Sequence, residues 1–123
     1  VGGNLSILYS NLGTKTILDT NKKILLLEDL DEYLYHIDRM MMAMKRAGKL
    51  QNLAGLVVGG LSDMKDNTIP FGKTAEEIIA EHVAEYDYPV CFNFPSGHIS
   101  DNRAVFMGKQ AKVEVGDHSI FVQ

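Results

Sequence analysis

The sequence has a single cysteine, so no internal disulfide framework holds it together, and a lone thiol points weakly to a reducing compartment. Positive charge is scarce: 12 Lys and Arg stand against 16 Asp and Glu, for a net charge of −4. A nucleic-acid surface needs clustered basic side chains, and this balance argues against one. Long apolar runs are absent too. The stretch from Leu53 to Leu61 falls far short of the about 20 residues that span a bilayer. No signal peptide, internal repeat, low-complexity segment or linker is visible. The chain opens at Val1-Gly2-Gly3-Asn4 without a Met, and a fragment of a longer protein is the expectation.

What remains is the composition of one globular domain. The 123 residues are 46% hydrophobic and 23% charged, enough to bury a core without staples. Gly2-Gly3-Asn4 leads into a short predicted helix from Leu5 to Asn11. Thr16 to Asp19 and Lys23 to Glu28 read as strands joined by a polar turn. Leu34, Ile37, Met41 and Met44 recur at helical spacing between Tyr33 and Ala47, with Asp31 near the N-cap and Gly48 as the stop. Leu53 to Leu61 reads as a strand and the polar stretch 62–73 as a loop. Thr74 and Glu77 form a capping box for a second long helix, whose buried stripe is Ile78, Ile79, Val83 and Tyr86. Pro89 to Phe94 is the third core strand. Short strands at Ala104–Met107, Ala111–Val115 and Ser119–Val122 follow, with Gly108 and Gly116-Asp117 as turns. The expectation is an α/β fold with a parallel β-α-β-α-β core, since crossovers are right-handed, and additional antiparallel strands.

Two apolar runs end in residues that carry chemistry. The first ends at Glu28-Asp29, and the third opens into Pro95-Ser96-Gly97-His98. In an open parallel sheet, sites form outside the carboxyl ends of the strands. Glu28 and His98 are therefore the candidate catalytic pair, a carboxylate to orient an imidazole. The bland alternatives are a solvated acidic loop running from Glu28 through Asp29, Asp31 and Glu32, and a surface His in a turn. His36 and His82 lie inside predicted helices and read as structural; His118 reads as solvated.

A matching nucleophile is not evident. Cys91 sits in mid-strand, where a thiol behaves as a small hydrophobe. Ser62 follows a strand, but Met64 occupies the position where a nucleophile elbow has Gly. Ser96 and Ser100 are too near His98 in sequence to reach its ring easily. Gly2-Gly3 and Gly59-Gly60 lack phosphate-loop spacing. Met40, Met41, Met42 and Met44 read as core, with one face left for a partner surface. No metal-ligand spacing is present, and no cofactor is expected.

These residues resemble those of the LD-carboxypeptidases, serine peptidases typified by muramoyltetrapeptide carboxypeptidase. The resemblance rests on Gly2-Gly3-Asn4-Leu5, on Leu27-Glu28-Asp29 followed by Ile37-Asp38-Arg39-Met40, and on Gly97-His98 with Asn102. It covers essentially the whole chain, but only the C-terminal half of the family's protein. It implies a three-layer swivelling β/β/α-type domain over residues 1–123. It also implies that Glu28 and His98 are two members of a Ser-His-Glu triad, whose Ser and oxyanion hole belong to an absent N-terminal domain. Asn4 and Arg39 are left open, because packing explains them equally well. The implied substrate is a murein tetrapeptide that loses its terminal D-alanine in peptidoglycan recycling, which makes a cytoplasmic location the expectation. A microcin-immunity-type peptidase, a non-catalytic binding module and a self-contained Cys91 hydrolase are the alternatives. The expected partners are the substrate, the absent domain and a second copy of the chain; nucleic acid and membrane are not expected.

Overall fold

The computed structural model describes residues 1–116 and 120–122. Along the chain come β1 (Gly2–Asn4), α1 (Leu5–Ser10), β2 (Ile24–Leu30), α2 (Leu34–Arg46), β3 (Gly55–Ser62), α3 (Ala75–Val83) and β4 (Val90–Cys91), followed by β5 (Lys112–Glu114) and β6 (Ile120–Val122). The first four strands form one parallel sheet in chain order, β1-β2-β3-β4, and β5 and β6 pair as an antiparallel hairpin.

Strands added in one direction through right-handed crossovers place every connecting helix on the same face. The core follows that rule. Leu25 and Leu27 of β2 and Leu56 and Val58 of β3 pack with Leu5, Ile37, Met40, Met41, Met44, Ile78, Ile79 and Val83 from the three helices. Successive strand residues point to opposite faces, so Leu26, Val57 and Cys91 form a second cluster, packed against Phe94, Val113 and Phe121. Hairpin, sheet and helices make the three layers of a β/β/α arrangement. Among the described residues, no helix is long and apolar enough to cross a membrane.

Several element expectations change. Gly2–Asn4 is a strand, not a lead-in, and it pairs with Leu26–Glu28. Thr16–Asp19 and Ala104–Met107 carry no strand. The third core run pairs only through Val90 and Cys91, because Asn93 takes a left-handed turn (φ 57°) and leaves the ladder. Strand β2 runs two residues past Glu28. The N-cap of α2 is Tyr33, whereas Asp31 takes φ 59° and pairs with Lys65. The capping box on α3 is present: Glu77 N–H donates to Thr74 Oγ1 (3.2 Å) and Thr74 N–H to Glu77 Oε2 (2.8 Å). His118 and most of the turn expected at Gly116-Asp117 lie outside the described residues.

Candidate active site

Glu28 and His98, 70 positions apart, meet at the carboxyl end of the sheet. His98 Nδ1 lies 2.7 Å from Glu28 Oε2, and the His98 backbone N–H donates to the same oxygen (3.3 Å). Glu28 is buried and the His98 side chain is 53% exposed. A carboxylate accepts only, so Nδ1 carries the shared proton. In the neutral ring Nε2 is then the basic atom, and it has no hydrogen-bond partner among the described residues.

The local backbone explains how a loop can lie this close to a strand. The β2–β3 register passes from Leu27↔Val58 to Asp29↔Leu61. Two residues of β3, Gly59 and Gly60, thus face Glu28 alone on β2, a bulge at Gly59-Gly60. That bulge lets Gly60 N–H donate to Ser96 O at 2.9 Å. A Cβ on Gly59 would sit 2.3 Å from Ser96 O, and one on Gly60 would sit 2.4 Å from Ile99 Cγ2. Gly97 (φ 107°) lies against Glu28 itself, where a Cβ would come within 2.7 Å of the carboxylate. The Asn102 side chain accepts from Gly97 N–H (3.1 Å) and closes the loop around His98.

The acidic-loop alternative for Glu28 fails on placement. Asp29 is also buried, on the helix side of the sheet, where it accepts from Asn4 Nδ2 (2.8 Å), Ser6 N–H (2.9 Å) and Leu30 N–H (2.9 Å). Asn4 in turn caps α1, accepting from Ile7 N–H (3.1 Å). Both side chains hold β2 to α1, a role sequence reasoning missed for Asp29. The available signal was the Asn4-Leu5-Ser6 start of a helix, which needs an anchor for its free N–H groups.

The other candidates do not join the pair. His36 bonds Glu32 (2.6 Å), and the buried His82 bonds Asp38 across the α2–α3 contact (2.8 Å). Arg39 is exposed and stacks its guanidinium over Tyr35 (4.9 Å). Met40, Met41 and Met44 are core, while Met42 is surface. Cys91 is buried beneath the hairpin, and burial pushes its thiol pKa up. Ser62 Oγ donates to the His98 carbonyl at 2.5 Å rather than to the ring. Among the described residues no Ser or Cys side chain bonds the His98 imidazole, and no three His, Cys, Asp or Glu side chains gather as a metal site.

Known proteins share this fold. The model of the LD-carboxypeptidase C-terminal domain matches residues 1–113. A probable murein peptide carboxypeptidase of Bacillus subtilis (strain 168) is 34% identical over 127 residues, which cover 100% of this chain and 39% of that protein. The murein tetrapeptide carboxypeptidase of Pseudomonas aeruginosa is 30% identical, over 93% of this chain and 37% of that protein. The crystal structure of muramoyltetrapeptide carboxypeptidase from Oxalobacter formigenes superposes with a TM-score of 0.85 at 28% identity, over 98% of this chain and 41% of that one. The microcin C7 self immunity protein MccF shares the fold, with a TM-score of 0.64 at 21% identity. This chain spans well under half the length of each of these proteins. With a family model matched along nearly its whole length, the chain belongs to the LD-carboxypeptidase C-terminal domain family.

Proposed function

We propose that this domain supplies the base and its orienting carboxylate to a serine carboxypeptidase that removes the terminal D-alanine from murein tetrapeptides. The observation that carries this reading is the Glu28–His98 pair at 2.7 Å, with Nε2 open and no nucleophile beside it among the described residues. The nucleophilic Ser and the oxyanion donors come from sequence outside these 123 residues, in an N-terminal domain. The much greater length of the relatives supports this, and the relatives in Bacillus subtilis and Pseudomonas aeruginosa, named for murein peptides, support the substrate.

In the assembled site His98 Nε2 takes the Ser hydroxyl proton as the oxygen attacks the scissile carbonyl carbon. The tetrahedral intermediate collapses, the C–N bond breaks, and the imidazolium returns the proton to the departing D-alanine amine. Water then attacks the acyl-enzyme, losing a proton to Nε2; the second tetrahedral intermediate collapses, the C–Oγ bond breaks, and the imidazolium returns that proton to the Ser oxygen as the shortened peptide acid leaves. Glu28 fixes the Nδ1–H tautomer and stabilises the imidazolium. Leu30 at the end of β2, Tyr33 in the loop after it, and Ile69 and Phe71 in the loop after β3 are exposed at the same end of the sheet. That apolar rim supports docking of the N-terminal domain there, at a scale of roughly 600–1,500 Å², or burial by a second copy of the chain. Peptidoglycan recycling and the unpaired Cys91 fit a cytoplasmic location.

The test is release of D-alanine from a murein tetrapeptide. The 123-residue chain alone should release none, and joining it to the N-terminal domain should restore turnover. In the joined protein His98→Ala should abolish activity, and Glu28→Gln should lower kcat by about 10⁴-fold. Release by the chain alone would refute the two-part site. Unimpaired turnover by His98→Ala would leave only a non-catalytic module. Cleavage of a peptide-nucleotide in place of murein peptide would favour the microcin-immunity alternative.

A further inference from the structure

We infer that Ser62 is a positioning residue for His98. The inference rests on the catalytic reading of His98 for its meaning in turnover, although its geometric content does not depend on that reading. Half of the His98 side chain is exposed, so packing alone does not fix the ring. The ring direction is set by the backbone that carries it and by the single contact to Glu28. That backbone is tied at both ends of one residue: His98 N–H to Glu28 Oε2 (3.3 Å), and His98 C=O to Ser62 Oγ (2.5 Å).

Ser62 is well placed to act as an anchor. It is the last residue of β3, paired with Leu30 of β2, and its own carbonyl accepts from Asp31 N–H (2.9 Å). The hydroxyl therefore hangs from the sheet, while its acceptor sits in a loop whose other hydrogen bonds to β3, among the described residues, are Gly60 N–H to Ser96 O and Phe94 N–H to Val58 O. Without the hydroxyl, the His98 peptide can pivot about its Glu28 contacts. The imidazole would then share its proton with Glu28 less steadily, and Nε2 would wander from the direction of the nucleophile. Displacements near 1 Å cost about 10²-fold when a reacting group must be aligned.

Two measurements test this, with Ser62→Ala and Ser62→Thr. The first is ¹⁵N NMR of the His98 ring in the 123-residue chain at alkaline pH. Ser62→Ala should raise the Nε2–H tautomer population and speed Nδ1–H exchange by about tenfold or more, and Ser62→Thr, which keeps a hydroxyl, should restore both. The second is turnover in the protein joined to its N-terminal domain. There Ser62→Ala should lower kcat by about ten- to a hundredfold with KM unchanged, and Ser62→Thr should recover most of it. A ring spectrum that superposes on the parent in Ser62→Ala overturns the inference, as does a Ser62→Thr protein as impaired as Ser62→Ala. If the ring responds as stated while His98→Ala turns over normally, the positioning stands and the catalytic reading of His98 falls.

Discussion

Two neighbouring carboxylates, Glu28 and Asp29, do unrelated work because a strand turns successive side chains to opposite faces. Glu28 goes to the hairpin side and meets His98; Asp29 goes to the helix side and ties down α1. The sequence made the first legible, as an apolar run ending in an acid matched by a loop His. It hid the second, because the partners of Asp29 lie about 25 positions earlier, at the start of a short predicted helix, and nothing local to Asp29 points to them. Ser62 was legible only as a nucleophile to be rejected; its hydrogen bond crosses 36 positions and leaves no local pattern. Cys91 can be tested directly. Its burial raises the thiol pKa, so the reactive thiolate is scarcer at neutral pH than in a free thiol, and access is blocked as well. Iodoacetamide should label the folded chain at least about tenfold more slowly than the denatured chain. Rapid stoichiometric labelling of the folded protein would restore the Cys hydrolase alternative.

Elements were most legible where local chemistry decides them. The box formed by Thr74 and Glu77 starts α3 one residue after Thr74, as its spacing requires. Thr74→Ala should lower stability by about 1 kcal/mol, read as a lower urea midpoint with an unchanged slope. An unchanged midpoint would mean that tertiary packing alone fixes this helix start. Strands were harder. Val90 to Phe94 has the composition of a buried strand, but the left-handed Asn93 ends its pairing after Cys91. Gly2-Gly3 has the composition of a turn, since glycine is depleted in strands. It pairs nonetheless, because a Cβ on Gly2 would fall 2.0 Å from Leu26 O, and only glycine permits so close an approach.

At the scale of the whole molecule, parallel strands and crossover helices follow from the alternation of apolar runs, but the hairpin layer does not. It depends on Val113 and Phe121 meeting Phe94 and the far side of the sheet, and short strands say little about which surface they cover. The architecture also sets an order of stability. Strands β2 and β3 are buried between two layers, whereas residues 92–103, apart from the packed Phe92 and Phe94, are held to them by a few hydrogen bonds. Native-state hydrogen exchange should place the amides of Leu27 and Val58 in the globally unfolding unit. Those of Gly60 and Phe94, bonded across to and from this arm, should open at lower free energy. Equal protection at all four would make the arm part of the same cooperative unit.

The chain-ordered sheet bears on how the molecule is made. A polypeptide is synthesised from its N-terminus, and here each new strand finds its neighbour already present. No early strand waits beside a gap that only a later one can fill, so no inner edge is left open during growth. Glu28 is in place after the second strand, but His98 arrives only once the fourth has docked. A nascent chain thus completes its parallel sheet before Glu28 can meet His98.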